Sequence, residues 1–360
     1  MGYRNALITG GCGFVGRHML SRLLDDNFET IWIIDDLSIG IHPEKWRALN
    51  IRDLERVSPW LVSFSIGESR TRIMMLHADL IQVALAELGK IPRNNLPSLP
   101  QFDEIYHLAS VVGGRNVIDN DPLSVGIDLA IDSAFYLWVA KIARPSRVLY
   151  ASSSAAYPIS LQATGKSIAL KEEMIDFSDE LGKPDYTYGW SKLTGEYLGR
   201  IAVEKYGLNV AIVRPFSGYG EDQEPVYPFP AIALRVAARQ NPVIVWGTGL
   251  QGRDFVHIDD ACEACVRACR TISDASAVNI GWGTVVTMKA LAERMIEIEG
   301  YEAIVVGKEG RPTGVATRFS DTSRMQQILG WKPTIALDEG IRRALKVAKS
   351  RLAEGIEPED

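Results

Sequence analysis

The chain has 360 residues, 46% of them apolar, and a net charge of −6. That length suits two domains around a large core, and the absence of a basic tail excludes nucleic acid as an expected partner. No apolar run reaches the ~18 uncharged residues of a membrane span, and the first residues lead straight into a strand with no room for a signal peptide, so a cytoplasmic location is expected.

The first element carries the most information. In Asn5-Ala-Leu-Ile-Thr-Gly-Gly-Cys-Gly-Phe-Val-Gly16 a short apolar strand runs into Gly10, Gly13 and Gly16 and then into an amphipathic helix near 17–25. The first glycine permits a tight turn, the second lets backbone approach a pyrophosphate, and the third lets the helix pack on the strand. Phe14 and Val15 belong to the same phosphate loop, and the helix N-terminus offers it free N–H groups. A second strand, 30–34, ends in Asp35-Asp36 about twenty residues later, where a carboxylate accepts from the adenosine ribose hydroxyls and repels a 2′-phosphate. The expected cofactor is therefore NAD. Asp36 reads as the loop residue of the pair.

Further strands are expected at 73–76, 104–108, 147–151 and 210–213, with helices near 83–88, 122–143 and 188–206. This alternation predicts an α/β fold, a Rossmann-type doubly wound parallel sheet. Residues 38–72 form a long polar and aromatic interruption, and 91–101 a proline-rich loop. After Pro215 the pattern turns irregular, with prolines 225, 228, 230 and 242, a helix near 231–239, a strand at 243–246 and late helices near 288–299 and 337–349. The expected division is an NAD-binding domain over 1–213, with a return near 250–270. A smaller, irregular α/β substrate domain takes 214–249 and 271–349, and a disordered tail 350–360. Cys262, Cys265 and Cys269 share one helix face but lack a fourth ligand, so they read as core filler, with Cys12 a packing residue, and no metal is expected.

Tyr188-Gly-Trp-Ser-Lys192 carries the chemistry. On a helix, Tyr188 and Lys192 lie one turn apart, and an ammonium beside a phenol stabilises the phenolate as a base for neutral pH. Ser152-Ser153-Ser154 closes strand 147–151 at its carboxyl end, where ligands sit in parallel sheets, and a hydroxyl there can bind the substrate oxygen.

Together these features resemble the extended short-chain dehydrogenase/reductase family, in its NAD-dependent nucleotide-sugar epimerase/dehydratase branch. The likeness runs through the glycine loop, Asp35, His77-Ala-Asp-Leu80, His107-Leu-Ala-Ser110, the three serines, the YGWSK motif and Arg214-Pro-Phe-Ser-Gly-Tyr-Gly220. It continues through Gln251-Gly-Arg-Asp-Phe-Val-His-Ile-Asp-Asp260, Gly310-Arg-Pro312 and Leu329-Gly-Trp-Lys-Pro333. The resemblance implies that Asp79 and Leu80 border the adenine, that Leu108, Ala109 and Ser110 line the cofactor with Pro215, and that Tyr188 and Lys192 are catalytic and touch it. Counting back four from Tyr157, as in galactose-type 4-epimerases, it selects Ser153 as the catalytic hydroxyl and turns Ser154 toward the sugar. It places Arg253 and Arg311 against a nucleotide diphosphate, suiting guanidinium geometry. Gly113 and Gly114 let a sugar lie near backbone, Arg115 either reaches a sugar substituent or faces solvent, and Ser217 stands where asparagine is common.

Departures from the family pattern narrow the reaction. Dehydratases and decarboxylases of this branch keep acids after the catalytic hydroxyl, and 3,5-epimerases a cysteine, where this chain has Ser154-Ala155. What remains is oxidation at C4, turning of the keto sugar and re-reduction, on a UDP-hexose or UDP-hexuronate. Ser154 and Ser217 hint at a uronate, whereas Glu221, Asp222 and Glu224 would repel one if they point inward. The alternatives are a C4 reductase of a GDP- or dTDP-keto sugar, a GDP-mannose-type 3,5-epimerase, suggested by Val111-Val-Gly-Gly114 and Ser-Ala-Ala-Tyr-Pro158, and a non-catalytic NAD-sensing regulator. The family commonly pairs the helices near 122–143 and 188–206 across a two-fold axis, so a homodimer is expected.

Overall fold

The computed structural model describes residues 4–46, 49–111 and 115–358. Among them nine strands build one sheet: β1 (Asn5–Thr9), β2 (Thr30–Asp35), β3 (Ile51–Ser58), β4 (Leu61–Ile66), β5 (Arg72–His77), β6 (Glu104–His107), β7 (Arg147–Ala151), β8 (Val210–Pro215) and β9 (Asp274–Ile280). The order is β9-β8-β7-β6-β1-β2-β5-β4-β3, parallel from β9 to β5 and antiparallel at β4 and β3. The strand order reverses at β1, between β2 and β6, and there the carboxyl ends open a crevice.

Alternation along each strand feeds two cores. On one face Ala6, Ile8, Ile31, Ile33, Leu149 and Val213 pack against α1 (Phe14–Leu23), α6 (Ile258–Thr271) and α8 (Ser323–Leu329). On the other, Leu7, Trp32, Ile105, Val148 and Ile212 pack against α2 (Leu80–Glu87), α3 (Asp128–Trp138) and α4 (Tyr186–Tyr206). A third core joins α5 (Pro228–Ala237), α7 (Met288–Glu299) and α9 (Leu337–Ala353) through Phe229, Leu291, Met295 and Ile341. The stretch Pro122–Ala143 is long and apolar enough to cross a bilayer by length and composition. Here it is broken at 126–127, carries Asp128 and Asp132, and buries Phe135, Trp138 and Val139 against the sheet.

Four sequence-based expectations are corrected. The 38–72 interruption contains the β3–β4 hairpin, which extends the sheet at its β5 edge. Its β3 is almost wholly exposed, so no apolar periodicity announced it. Residues 271–280 belong to the central sheet, because β9 pairs in parallel with β8, and α8 also packs on that side through Met325 and Leu329. The tail begins later than 350, since α9 runs to Ala353 and Arg351 donates to the Gln223 carbonyl at 2.8 Å. Helix α1 starts at Phe14, three residues earlier than its amphipathic pattern suggested, with Gly13 as its cap. The cysteine face of α6 lies wholly in the core, and no group of three metal-ligating side chains is found among the described residues.

Helices α3 and α4 meet closely at Gly195. A Cβ there would fall on the Tyr150 hydroxyl and 2.5 Å from Asp132 Oδ2. Gly195→Ala should therefore destabilise the protein by about 1–3 kcal/mol, the usual cost of overpacking, read as a lower midpoint in denaturant with an unchanged slope.

Candidate active site

The carboxyl ends of the parallel strands line one cleft of about 510 Å³. Gly10, Gly13, Phe14, Val15 and Gly16 form one wall of it, with Asp35, Asp36, Asp79 and Leu80 beside them. Leu108, Ala109, Ser110 and Pro215 continue the lining to Ser153, Tyr188 and Lys192. Every residue assigned to the cofactor from sequence thus meets the three assigned to catalysis.

The nucleotide end fits a dinucleotide. Gly10 has φ +70°, and a Cβ on it would stand 2.9 Å from the backbone of Ala109, so only glycine lets the β1 and β6 loops approach. A Cβ on Gly16 would strike the Gly10 carbonyl, which holds α1 against β1, whereas one on Gly13 would meet only the Gly10 oxygen at 3.4 Å. That space adjoins an α1 N-terminus that no side chain caps, an arrangement that suits a phosphate group. Asp35 accepts from the Cys12 N–H and the Leu37 N–H, each at 2.8 Å. Burial raises its pKa while these two N–H groups lower it, and the carboxylate keeps lone pairs for a ribose. Asp36 is exposed and accepts from Ser38, and Asp79 caps α2 by accepting from the Gln82 N–H at 2.9 Å.

At the other end the three serines separate by role. Ser152 lines the cleft but donates its hydroxyl to Glu196 at 2.5 Å. Ser153 lines the cleft in extended backbone, and its Oγ accepts from the Ala155 N–H at 3.1 Å, leaving the hydroxyl proton for a ligand. Ser154 is buried and outside the lining. Lys192 is buried too, its Nζ 5.7 Å from the centre of the Tyr188 ring.

Sequence reading missed the groups under this surface. Arg214 grips Glu196 with Nε at 2.9 Å and Nη2 at 2.7 Å, and donates to the Tyr157 hydroxyl and the Glu172 carbonyl at 3.0 Å. Tyr157 donates on to Asn279 of β9 at 2.8 Å, and burial pushes its pKa up to about 12. A second network assigns the His107 tautomer. Nε2 donates to Asp132 at 3.0 Å and Nδ1 accepts from Thr9 at 2.7 Å, while burial lowers the imidazole's pKa. Thr9 Oγ1 in turn accepts from the Leu108 and Ala109 N–H groups, which sets the cofactor wall.

Those residues assigned to substrate that are described lie outside the cleft lining. Gly113 and Gly114 fall outside the described residues. Ser217 pairs in parallel with Phe255, between the lining residues Phe216 and Gly218. Asp119 and Asp185 engage the Arg115 guanidinium, and the side chain is partly exposed. Arg311 stacks over Trp246. Arg253 is opposite Arg318 on paired parallel strands and donates to the carbonyls of Gly252, Thr313 and Val315. Burial, then repulsion from Arg318 and Arg115, lowers its pKa to about 9. Asp185, at the N-terminus of α4, accepts from both Arg115 and Arg318. Burial alone would raise its pKa, but the two arginines pull it below the usual carboxylate range. Arg318 and Asp185 carried no sequence signal, since each sits outside a recognisable motif. Of the acids that would repel a uronate, Asp222 and Glu224 line the cleft. Asp222 pairs with Arg17 at 2.6 Å and His18 at 2.7 Å, and Glu221 with His257 at 3.2 Å.

Residues 6–281 match the NAD dependent epimerase/dehydratase family. The chain belongs to that family. A putative UDP-glucose 4-epimerase of Methanocaldococcus jannaschii is 26% identical over 347 residues, covering 96% of this chain and 98% of its own. A GDP-mannose 3,5-epimerase of Oryza sativa subsp. indica is 28% identical, covering 93% of this chain and 79% of its own. Among solved structures, the Thermotoga maritima UDP-glucose 4-epimerase with UDP-glucose superposes with a TM-score of 0.76 at 21% identity, over 97% of this chain and 99% of that one. The Bacillus cereus UDP-glucuronic acid 4-epimerase with UDP-glucuronic acid and NAD gives 0.72 at 21%, over 96% and 99%. NAD is the cofactor of this family member, and the glycine loop and Asp35 line the cleft.

His18, on α1 beside the phosphate loop, links Asp222 and Asp259. Burial would lower its pKa, but the two carboxylates raise it from 6.5 to about 9. Its contribution to stability is complete below pH 6.5 and is lost as the pH rises through about 9. The wild-type melting temperature should drop between pH 6.5 and 9 by more than that of His18→Gln, as differential scanning fluorimetry will show.

Proposed function

We propose that the protein is an NAD-dependent epimerase acting at C4 of a hexose or hexuronate carried on a nucleoside diphosphate. The observation that supports this best is the junction of two features. Ser153, Tyr188 and Lys192 close one end of the cofactor cleft, and an under-neutralised arginine cluster adjoins the N-terminus of the same helix. Like charges directly opposite on paired strands destabilise each other, so Arg253 and Arg318 favour a dianion between them. A diphosphate bound there sets the sugar toward Tyr188.

When bound, NAD accepts and returns a hydride at the sugar carbon. The protein's own part is proton transfer and orientation. The Tyr188 phenolate, stabilised by Lys192, takes the C4 hydroxyl proton while Ser153 donates to the same oxygen, and both are reversed on re-reduction. Ala155, buried where eliminating relatives keep an acid, supplies no further proton. Tyr188→Phe should lower kcat by about 10²–10⁴-fold with NAD retained. Substrate deuterated at C4 should keep its label in the product, as read by NMR. Washout at C3 or C5 in heavy water would instead indicate the 3,5-epimerase reading that the rice relative favours, and a need for stoichiometric NADH would indicate the reductase.

The homodimer belongs to the same proposal. Phe135, Tyr136, Trp138 and Leu193 are spent on the internal core. Leu123, Ile127, Leu137 and Ile142, with Trp190 and Tyr197 of α4, remain exposed and supply an apolar face for an isologous contact. Light scattering at micromolar concentration should give twice the chain mass, and a monomer would overturn this part.

A further inference from the structure

Lys192 is the buried cation on which the proposed chemistry turns, and its surroundings are unusual. Its Nζ lies 5.6 Å from the centre of the Tyr150 ring and 5.7 Å from that of Tyr188. Beyond the Tyr150 ring, the Tyr150 hydroxyl donates to Asp132 Oδ2 at 2.6 Å. Asp132 is pressed on α4 at Gly195, one turn along from Lys192. One turn earlier on α3, Asp128 accepts from the Ser110 hydroxyl and the Val111 N–H, both at 2.6 Å, on the cofactor wall. Both carboxylates are buried, and their hydrogen bonds among the described residues go to groups other than Lys192.

We propose that Asp128 and Asp132 are positioning residues for Lys192, holding its ammonium charged and in place from one face of α3 while leaving its three N–H donors free for the cofactor and Tyr188. A buried ammonium needs compensating charge. A carboxylate in direct contact would supply it but would occupy the donors that the chemistry uses. Two carboxylates held one step back, one behind an aromatic ring and one tied to Ser110, satisfy both needs. Their own oxygens are committed to Tyr150, His107, Ser110 and the Val111 N–H, so neither can swing onto the ammonium. The other groups facing Lys192 do not replace them. On α4, Glu196 is bound bidentately by Arg214, and Tyr188 is the proposed base. From β6, His107 is held neutral by burial, and from β7 Tyr150 offers only its ring face. Burial would lower the lysine pKa, and the charges of Tyr188, Asp128 and Asp132 raise it instead.

This proposal rests on the catalytic reading of Lys192, but its test needs no substrate. In the purified holoenzyme, the Lys192 resonance is followed with pH by carbon-13 NMR of the lysine ε-carbons, assigned by its loss in Lys192→Arg. Losing one buried carboxylate at this range should lower the midpoint by about one pH unit in Asp128→Asn. Asp132→Asn should shift it the same way, and Asp128→Asn stands alone if that variant fails to fold. Ser110→Ala keeps both charges while freeing the loop, so its midpoint should stay at the wild-type value even if cofactor binding weakens. An unmoved midpoint in Asp128→Asn, or an equal shift in Ser110→Ala, overturns the proposal. Normal midpoint shifts in a protein inactive on every nucleotide sugar would leave it standing and overturn the proposed function instead.

Discussion

The bidentate pair between Arg214 and Glu196 is the interaction on which the rest of this site depends. Both side chains are essentially inaccessible to water. Desolvating two charges costs several kcal/mol each unless geometry and further hydrogen bonds offset it. Here their further hydrogen bonds go to segments of the site: Ser152 at the end of β7, the Glu172 carbonyl, and Tyr157 after the serine turn, which donates on to Asn279 of β9. The pair therefore fixes α4 to the strand ends that carry the serines. Removing either partner would strand the other charge in the core, which is why a single substitution there would loosen Ser153 without touching it.

A second network does the same for the cofactor wall. Thr9, His107, Asp132 and Tyr150 form one hydrogen-bonded chain from β1 through β6 and α3 to β7. Phe135 stacks on the imidazole with ring centres 3.7 Å apart, which excludes water from it. Because Thr9 also receives the amides of Leu108 and Ala109, the loop that faces Gly10 has a defined position rather than a range of them. The cleft is thus shaped by groups buried beneath its floor as much as by its lining.

The arginine cluster has a different character. Arg115 and Arg318 come from separate parts of the chain and meet at Asp185, just ahead of α4. Tyr186, next in sequence, adopts φ +51°, a left-handed conformation costing a non-glycine residue about 1–2 kcal/mol. The Arg115 guanidinium over its ring and the double clamp on Asp185 hold that turn. Charge and strain are concentrated within three residues of Tyr188, where a bound anion would be felt most directly.

Local rules made the parallel sheet, the glycine loop, Asp35 and the Tyr188–Lys192 pair readable from sequence. Glycine spacing, strand alternation and a four-residue helical step are all short-range signals, and all of these residues line one cleft. The β3–β4 hairpin escaped because an exposed edge strand has no apolar period to show. The place of β9 in the central sheet escaped because pairing with β8 joins segments some sixty residues apart. Likewise Arg318, Asp185, Asp128 and the Glu196–Arg214 pair gain meaning only from their neighbours. Sequence determines which chemical groups are present and which lie within a turn or a strand of each other. Burial and long-range pairing decide which charges are compensated and which donors stay free, and those are properties of the packed fold.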